Sequence, residues 1–243
     1  MPQYTEIQRL ENKIIRKFQK ALYQYKLIDD GDKILIGLSG GKDSLCLMEL
    51  LAKRAKIQKP AFSIEAVHVK MENIHYESDT AYLYDFAKKL GVPLHVVTTS
   101  FEYKPKCKKS PCFLCSWYRR KQLFNLAQNI GCNKIALGHH MDDIIHTALM
   151  NLSFNGHFST MPIKLKMSKM PLTIIRPMCL ISESDIHKYA ELTGYKKQLK
   201  KCPYETETER NNAKHIFKEF EAINPEIRYS IWNALEIDNK LIE

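Results

Sequence analysis

One short stretch limits the possible folds more than any other. KILIGL at 33–38 stops at Ser39-Gly40-Gly41-Lys42-Asp43-Ser44 and passes directly into LCLMELLAKRAK. The first run is short and apolar, as a buried strand is, and the second has helical character. Two adjacent glycines let the backbone turn tightly and bring its N–H groups close to a ligand. The helix start adds unsatisfied N–H donors and a partial positive charge, a ready anion site. Ser39 and Ser44 can contribute hydroxyl donors, and Lys42 can neutralise phosphate. A kinase-type loop would read G-x-x-x-x-G-K-S/T. Here that spacing fails, and Asp43 follows the lysine where a Mg²⁺-binding hydroxyl would stand. The loop is expected to grip a pyrophosphate without delivering a γ-phosphoryl group.

The alternation continues along the chain. FSIEAVHVKM (62–71), LHVVTT (94–99) and NKIALG (133–138) read as strands. DTAYLYDFAKKLG (79–91), CSWYRRKQLFNLAQNIG (115–131) and a segment through DDIIHTALMNL read as helices. Strands alternating with such helices predict βαβ units, hence an α/β fold with a doubly wound parallel sheet of about five strands. Residues 5–27 read as an amphipathic helix opened by the capping box Thr5-Glu6-Ile7-Gln8. After residue 155, GHFSTMPIKLKMSKMP reads as a Gly/Pro-marked basic loop and LTIIRPM as one more strand. Ser182-Glu183-Ser184-Asp185 caps a helix to about Gly194, and two further helices finish the chain. The expected division is an N-terminal helical segment (1–30), an α/β domain (31–180) and a C-terminal helical extension (181–243).

Charge adds a partner class. Thirty-seven Lys plus Arg against 27 Asp plus Glu leave +10, which favours a polyanion, nucleic acid before membrane surface. The excess falls in patches: KPKCKK (104–109), RRK (119–121), KLKMSK (164–169) and KKQLKK (196–201). Lys104, Lys106, Arg120, Lys164, Lys166, Lys196, Lys197, Lys200 and Lys201 are candidate phosphate contacts for RNA. Trp117 or Tyr118 could stack on a base, with core packing as the competing role. No stretch approaches the eighteen or more apolar residues of a membrane helix. The N-terminal stretch reads as polar and helical rather than as a signal peptide. A cytoplasmic protein is expected, with its seven cysteines reduced, metal-bound or catalytic.

Gly138-His139-His140-Met141-Asp142-Asp143 stands between a strand and its helix. Carboxylates are favoured in a first helical turn by the macrodipole. Asp142 or Asp143 could also hold the Mg²⁺ of MgATP. Gly138, with Val69 on the second strand, completes the expected ATP-binding set of Ser39, Gly40, Gly41, Lys42, Asp43 and Ser44. His139, His140, Asp142 and His146 could alternatively form a transition-metal site.

Cys112 and Cys115 form a C-x-x-C at a helix start amid Lys and Arg, an environment that favours thiolates. By itself the pair is compatible with a redox dithiol, half a zinc site or chance. Cys107 with these two spells C-x₄-C-x₂-C, the spacing of plant-type 2Fe–2S proteins. Cys202, beside another basic run, is a candidate third ligand of a cluster with one open position. Cys46, Cys132 and Cys179 lie in or beside apolar segments and read as buried thiols.

SGGKDS after the first strand resembles the PP-loop of ATP pyrophosphatases, which adenylate a substrate and release pyrophosphate. Together with PCFLCSWYRR, NKIALGHHMDD, MPIKL, IIRP and a late cysteine, in that order, the chain resembles the tRNA 2-thiocytidine synthetases. That resemblance implies ATP and Mg²⁺ at the carboxyl ends of the strands and a 4Fe–4S cluster on Cys112, Cys115 and Cys202. It further implies tRNA as partner, cytidine 32 as target, a homodimer, and a sulfur donor such as a cysteine desulfurase or free sulfide. Catalytic roles would fall to Asp142, Asp143 and Arg119, the last stabilising charge on the α-phosphate. The family often carries a second C-x-x-C at the late site, where this chain has Cys202-Pro203-Tyr204-Glu205. The rivals are a PP-loop ligase with structural zinc and a non-catalytic RNA-binding module.

Overall fold

In a computed structural model of the chain, the residues described are 4–72, 79–102, 110–196 and 209–243. The elements keep the expected alternation. Helix α1 (Glu6–Gln24) precedes β1 (Lys33–Gly37), α2 (Lys42–Ala55), β2 (Ser63–Met71), α3 (Thr80–Leu90) and β3 (Leu94–Thr99). Then come α4 (Pro111–Asn129), β4 (Lys134–Ala136), α5 (Met141–Asn155), β5 (Lys164–Lys166) and β6 (Thr173–Ile175). Helices α6 (Glu183–Leu192), α7 (Glu209–Ile223) and α8 (Ile227–Ile237) close the chain.

The sheet has six strands in the order β3-β2-β1-β4-β6-β5. All pairings are parallel except β5 with β6. The chain winds outward from β1 to β3 and then returns to β4 on the other side of β1. This reversal is a topological switch point, and open α/β sheets bind ligands in the crevice outside the carboxyl ends of the strands there. SGGKDS leaves β1 and GHHMDD leaves β4 at that crevice.

The sixth strand lies in the segment expected to be a basic loop. Its three residues, Lys-Leu-Lys, are too few to show a period, and they take their order from the next strand and from the distant chain end. Leu165 stands opposite Ile174, and the outer edge of β5 is joined by the chain end. Ile163 N–H donates to Leu241 O at 2.6 Å and Glu243 N–H to Lys164 O at 3.0 Å. An edge strand is thereby covered rather than left as a template for aggregation.

Alternation along β1 builds two cores. Ile34 and Ile36 join the larger one, with α2, α5 and the C-terminal helices. Leu35, with Val67, faces a smaller one closed by Leu123 and Ala127 of α4. Helix α1 opens with the expected capping box, Thr5 N–H donating to Gln8 Oε1 at 2.9 Å. It buries Leu10, Ile14 and Phe18 in the larger core and ties Lys13 to Asp185 of α6 at 2.7 Å.

Candidate nucleotide cleft and thiol pair

The loop after β1 is built by its own side chains. Gly40 adopts φ +83°, a conformation that a side chain disfavours. The buried Ser44 hydroxyl accepts from Gly40 N–H at 3.1 Å and donates to Gly41 O at 2.9 Å, and Ser39 Oγ accepts from Gly41 N–H at 3.3 Å. Helices α1, α3, α4, α5 and α6 each have a side-chain N-cap; α2, with Gly41 at that position, has none. Its first-turn N–H groups are therefore available to an anion. Gly138 passes so close that a Cβ there would meet the carbonyl carbon and oxygen of Asp43 at 3.1 Å and Ser44 N at 3.2 Å. The two loops thus form one cradle.

Lys42 points across the cradle. Its ammonium lies 3.1 Å from Asp43 and 3.2 Å from Glu183 at the start of α6. Burial alone would lower its pKa, but the two carboxylates more than offset this and hold it raised. Lys42 is thus a charged ammonium between two carboxylates, a group that arriving phosphate can recruit.

The acidic turn divides its labour. His140 caps α5, its Nδ1 accepting from Asp143 N–H at 3.4 Å, so that Nε2 carries the ring proton. Nε2 lies 3.4 Å from Asp143 Oδ2 and 4.0 Å from Asp43 Oδ1, which links the turn to the phosphate loop. Asp142 is buried: one oxygen accepts from Glu183 N–H at 2.7 Å and the other pairs with Arg228 of α8. Burial would raise the Asp142 carboxyl, yet the Glu183 amide and the Arg228 guanidinium bring it below its usual range. The alternative metal site does not assemble. His139 Nδ1 accepts from Arg176 Nε at 3.2 Å, while His146 packs edge-on to Phe217 of α7. Among the described residues no three His, Cys, Asp or Glu side chains group to hold a metal ion.

Helix α4 begins at Pro111, earlier than expected, with Ser110 capping it and accepting from Phe113 N–H at 3.2 Å. Cys112 therefore lies in its first turn and Cys115 opens the second, at the carboxyl end of the sheet, because α4 is the next element after parallel β3. Cys112 is exposed; half-buried Cys115 packs with Met71 at the end of β2 and Phe101 just beyond β3. Cys112, Cys115 and half-buried Arg119 share one face by helical spacing. No acidic residue stands in that first turn. Two thiols and a cation at a helix N-terminus suit an anionic, thiolate-bound group. Cys107 and Cys202 lie outside the described residues, so their convergence on this pair is left to experiment.

The basic candidates separate. Lys164 turns back to donate to Lys26 O at 2.6 Å, and Lys196 pairs with Asp79. Arg120 and Lys166 are exposed. Lys104, Lys106, Lys197, Lys200 and Lys201 lie outside the described residues. Val69 pairs with Val97 and packs on the smaller core under α4. A recess of about 560 Å³, lined by Asn133, Lys134, Lys166, Met170 and Thr173 among others, opens at the amino ends of β4 and β6, at the opposite end of the sheet.

Three residues of this cleft carry no role in the sequence reading. Glu183 reads there only as part of a cap. Arg176 sits within the quoted IIRP, yet nothing marks it as the buried strut that also donates to Pro162 O; burial brings its guanidinium down to about 10. Arg228 lies on a mixed-charge terminal helix without local signal.

Comparison with known proteins agrees with this geometry. A family model described as a PP-loop domain matches residues 10–219. The tRNA-cytidine(32) 2-sulfurtransferase 1 of Francisella tularensis subsp. novicida is 35% identical over 234 residues, covering 94% of this chain and 87% of the relative. The corresponding enzyme of Pseudomonas putida is 34% identical over 236 residues, covering 94% and 84%. Among solved structures, the U34-tRNA thiolase NcsA of Methanococcus maripaludis, determined with its 4Fe–4S cluster, superposes with a TM-score of 0.77 at 25% identity, covering 96% of this chain and 80% of that one. The cradle, the acidic turn and the thiol pair thus stand in a chain that belongs to the PP-loop superfamily and, within it, to the tRNA-cytidine(32) 2-sulfurtransferase family.

Proposed function

We propose that this chain thiolates tRNA at the expense of ATP, replacing the C2 oxygen of a pyrimidine, cytidine 32, with sulfur. The observation that carries the reading is a shared edge: the phosphate cradle and the Cys112–Cys115 pair both open at the carboxyl ends of the parallel strands. The names of the curated relatives support the substrate.

A pyrimidine C2 carbonyl is a poor electrophile with a poor leaving group. Its oxygen attacks the α-phosphorus of ATP, the bond from that phosphorus to the bridging oxygen breaks, and pyrophosphate departs into the cradle. The N–H groups opening α2 receive it, and Lys42 exchanges Glu183 for phosphate oxygens. Arg119 offsets charge on the α-phosphate. Asp142 is buried with Arg228 and the Glu183 amide, whereas half-buried Asp143 stands beside His140 on the side that reaches Asp43 of the phosphate loop, and Asp143 is assigned to the Mg²⁺ of MgATP. Cys112, Cys115 and Cys202 would hold the 4Fe–4S cluster, which supplies nucleophilic sulfur for displacement of AMP from C2. Free sulfide would replenish the sulfur directly, and a cysteine desulfurase would do so as a persulfide, whose outer sulfur is reduced to sulfide by two electrons from a thiol reductant.

The test is mass spectrometry of tRNA nucleosides from cells lacking the gene. 2-Thiocytidine is expected to vanish and to return with the wild-type chain but not with Asp43→Ala or Cys112→Ser. An unchanged nucleoside profile would reject the reading.

A further inference from the structure

Helix α4 presents a second functional face beside its thiols. Helical spacing divides its first three turns into three sides. Leu114, Cys115 and Tyr118 turn inward to Met71 and Phe101, with Tyr118 stacked on Phe101 at 6.1 Å between ring centroids. Cys112 and Arg119 lie on a second side, which Cys115 borders. Phe113 and Trp117, one turn apart, occupy the third side and are 46% and 47% exposed. A tryptophan left half in solvent on a well-packed helix is unusual, since burying its ring would be favourable. The surroundings are cationic. Lys121 Nζ lies 5.5 Å from the Trp117 ring centroid, Arg120 is exposed on the same side, and α4 contains no Asp or Glu. The exposed apolar side chains of α7 and α8, among them Phe220, Ile223 and Tyr229, stand instead among both signs of charge, Glu219, Glu221 and Glu226 with Lys218 and Arg228, and lack the purely cationic setting of α4.

We propose that Trp117, supported by Phe113, Arg120 and Lys121, is a stacking platform for an unpaired base of single-stranded RNA. Trp117 lies on the opposite side of α4 from Cys115. It therefore receives not the base that reacts at the cleft but an unstacked neighbour of it, while Arg120 and Lys121 meet the flanking phosphates. Any base offers a π-face to such a ring, so the platform holds the strand without reading its sequence. Tyr118, half-buried with its ring stacked on Phe101 and met edge-on by Trp117, is excluded from this role. The inference deepens the thiolation reading and rests on it for the identity of the RNA as the loop around the modified nucleotide.

The chain has two tryptophans, and the other, Trp232, is buried in the core at 5% exposure. Intrinsic fluorescence therefore reports on Trp117. Titration with an anticodon stem-loop RNA should quench the emission, and a fully paired hairpin of equal length should quench it far less. Trp117→Phe should abolish the quench yet keep the affinity. Trp117→Ala should lower stem-loop affinity by about tenfold, as loss of one base–aromatic stack does, with ATP binding intact. Wild-type affinity in Trp117→Ala, or equal quenching by the paired hairpin, would overturn the platform. So would emission that depends on protein concentration without RNA, which would assign the surface to a second copy of the chain. If thiolation is absent from cells but the stem-loop results hold, the reading of function fails and the platform stands. Thiolation at wild-type levels by Trp117→Ala, with unchanged affinity, gives the converse.

Discussion

At the scale of single residues, the cleft separates groups that act from groups that are held. Asp142 and Asp143 are adjacent and chemically alike, yet only coordinates show that Asp142 is consumed by Arg228 and the Glu183 amide. Spacing identified a carboxylate turn; the pairing partners come from α6 and α8, remote in sequence, and left no local trace. His146 is the clearest held residue. It lies on α5 between the acidic turn and α7, is 5% exposed, and its Nδ1 meets no hydrogen-bond partner among the described residues. Burial pulls its pKa from 6.5 down to about 4. Below 6.5 the unfolded chain binds a proton that the folded chain refuses. Stability contributed by neutral His146 is thus complete above 6.5 and declines as pH falls toward about 4, by on the order of 3 kcal/mol. Denaturant melts across that window should show this slope in the wild-type chain and a shallower one in His146→Leu. Parallel curves for the two would mean that the ring is hydrated in the folded state.

At the scale of elements, the alternation of strand and helix was legible because its periods are strong, and the phosphate loop was legible because two glycines stand between such elements. Less of the rest could be read. The start of α4 was displaced because Ser110-Pro111 resembles loop composition, although a serine cap with proline at the first position is also a helix opening. The β5 strand was invisible, since Lys-Leu-Lys gains its order from β6 and from residues 241–243. Nor could Gly138 be valued from sequence: its worth lies in how closely β4–α5 and β1–α2 approach. A methyl group there would collide with backbone of the first turn of α2, which cannot rotate away as a side chain can. Gly138→Ala should therefore displace the cradle while the cores, tens of residues in extent, remain packed. At a nucleotide concentration of about 100 times the wild-type Kd, ligand stabilisation of about 2.7 kcal/mol is expected for the wild-type chain. The variant should show almost none, measured as the shift of its thermal melt with MgATP. A full shift would mean that the loops part without loss of binding.

At the scale of the whole molecule, the winding of the sheet explains why one edge gathers the chemistry. Parallel strands end at the same side, so the loops after β1 and β4 meet there whatever their sequences, and helices α2, α4 and α5 all aim their positive ends at it. The net charge of +10 adds a wider field that draws in a polyanion. Net charge overstates the contacts, however, because folding spends cations internally: Lys164 serves the Lys26 carbonyl and Lys196 serves Asp79. Of the nine candidates, these two are set aside and seven remain. With Lys121 of the stacking face these make eight, and each phosphate contact contributes about 0.7–0.9 to the slope of log affinity against log salt, so tRNA binding should fall with a slope no steeper than about −7. The individual residues then divide. Lys166→Ala, on an exposed lysine, should make the slope shallower by up to about one contact's share, whereas Lys196→Ala should leave it unchanged, because the ion pair with Asp79 already occupies that charge. Binding isotherms at four or five salt concentrations decide the matter. If Lys196→Ala flattens the slope as much as Lys166→Ala does, the pair opens on RNA binding, and the internal ion pairs of the free chain are a reserve that the nucleic acid draws on.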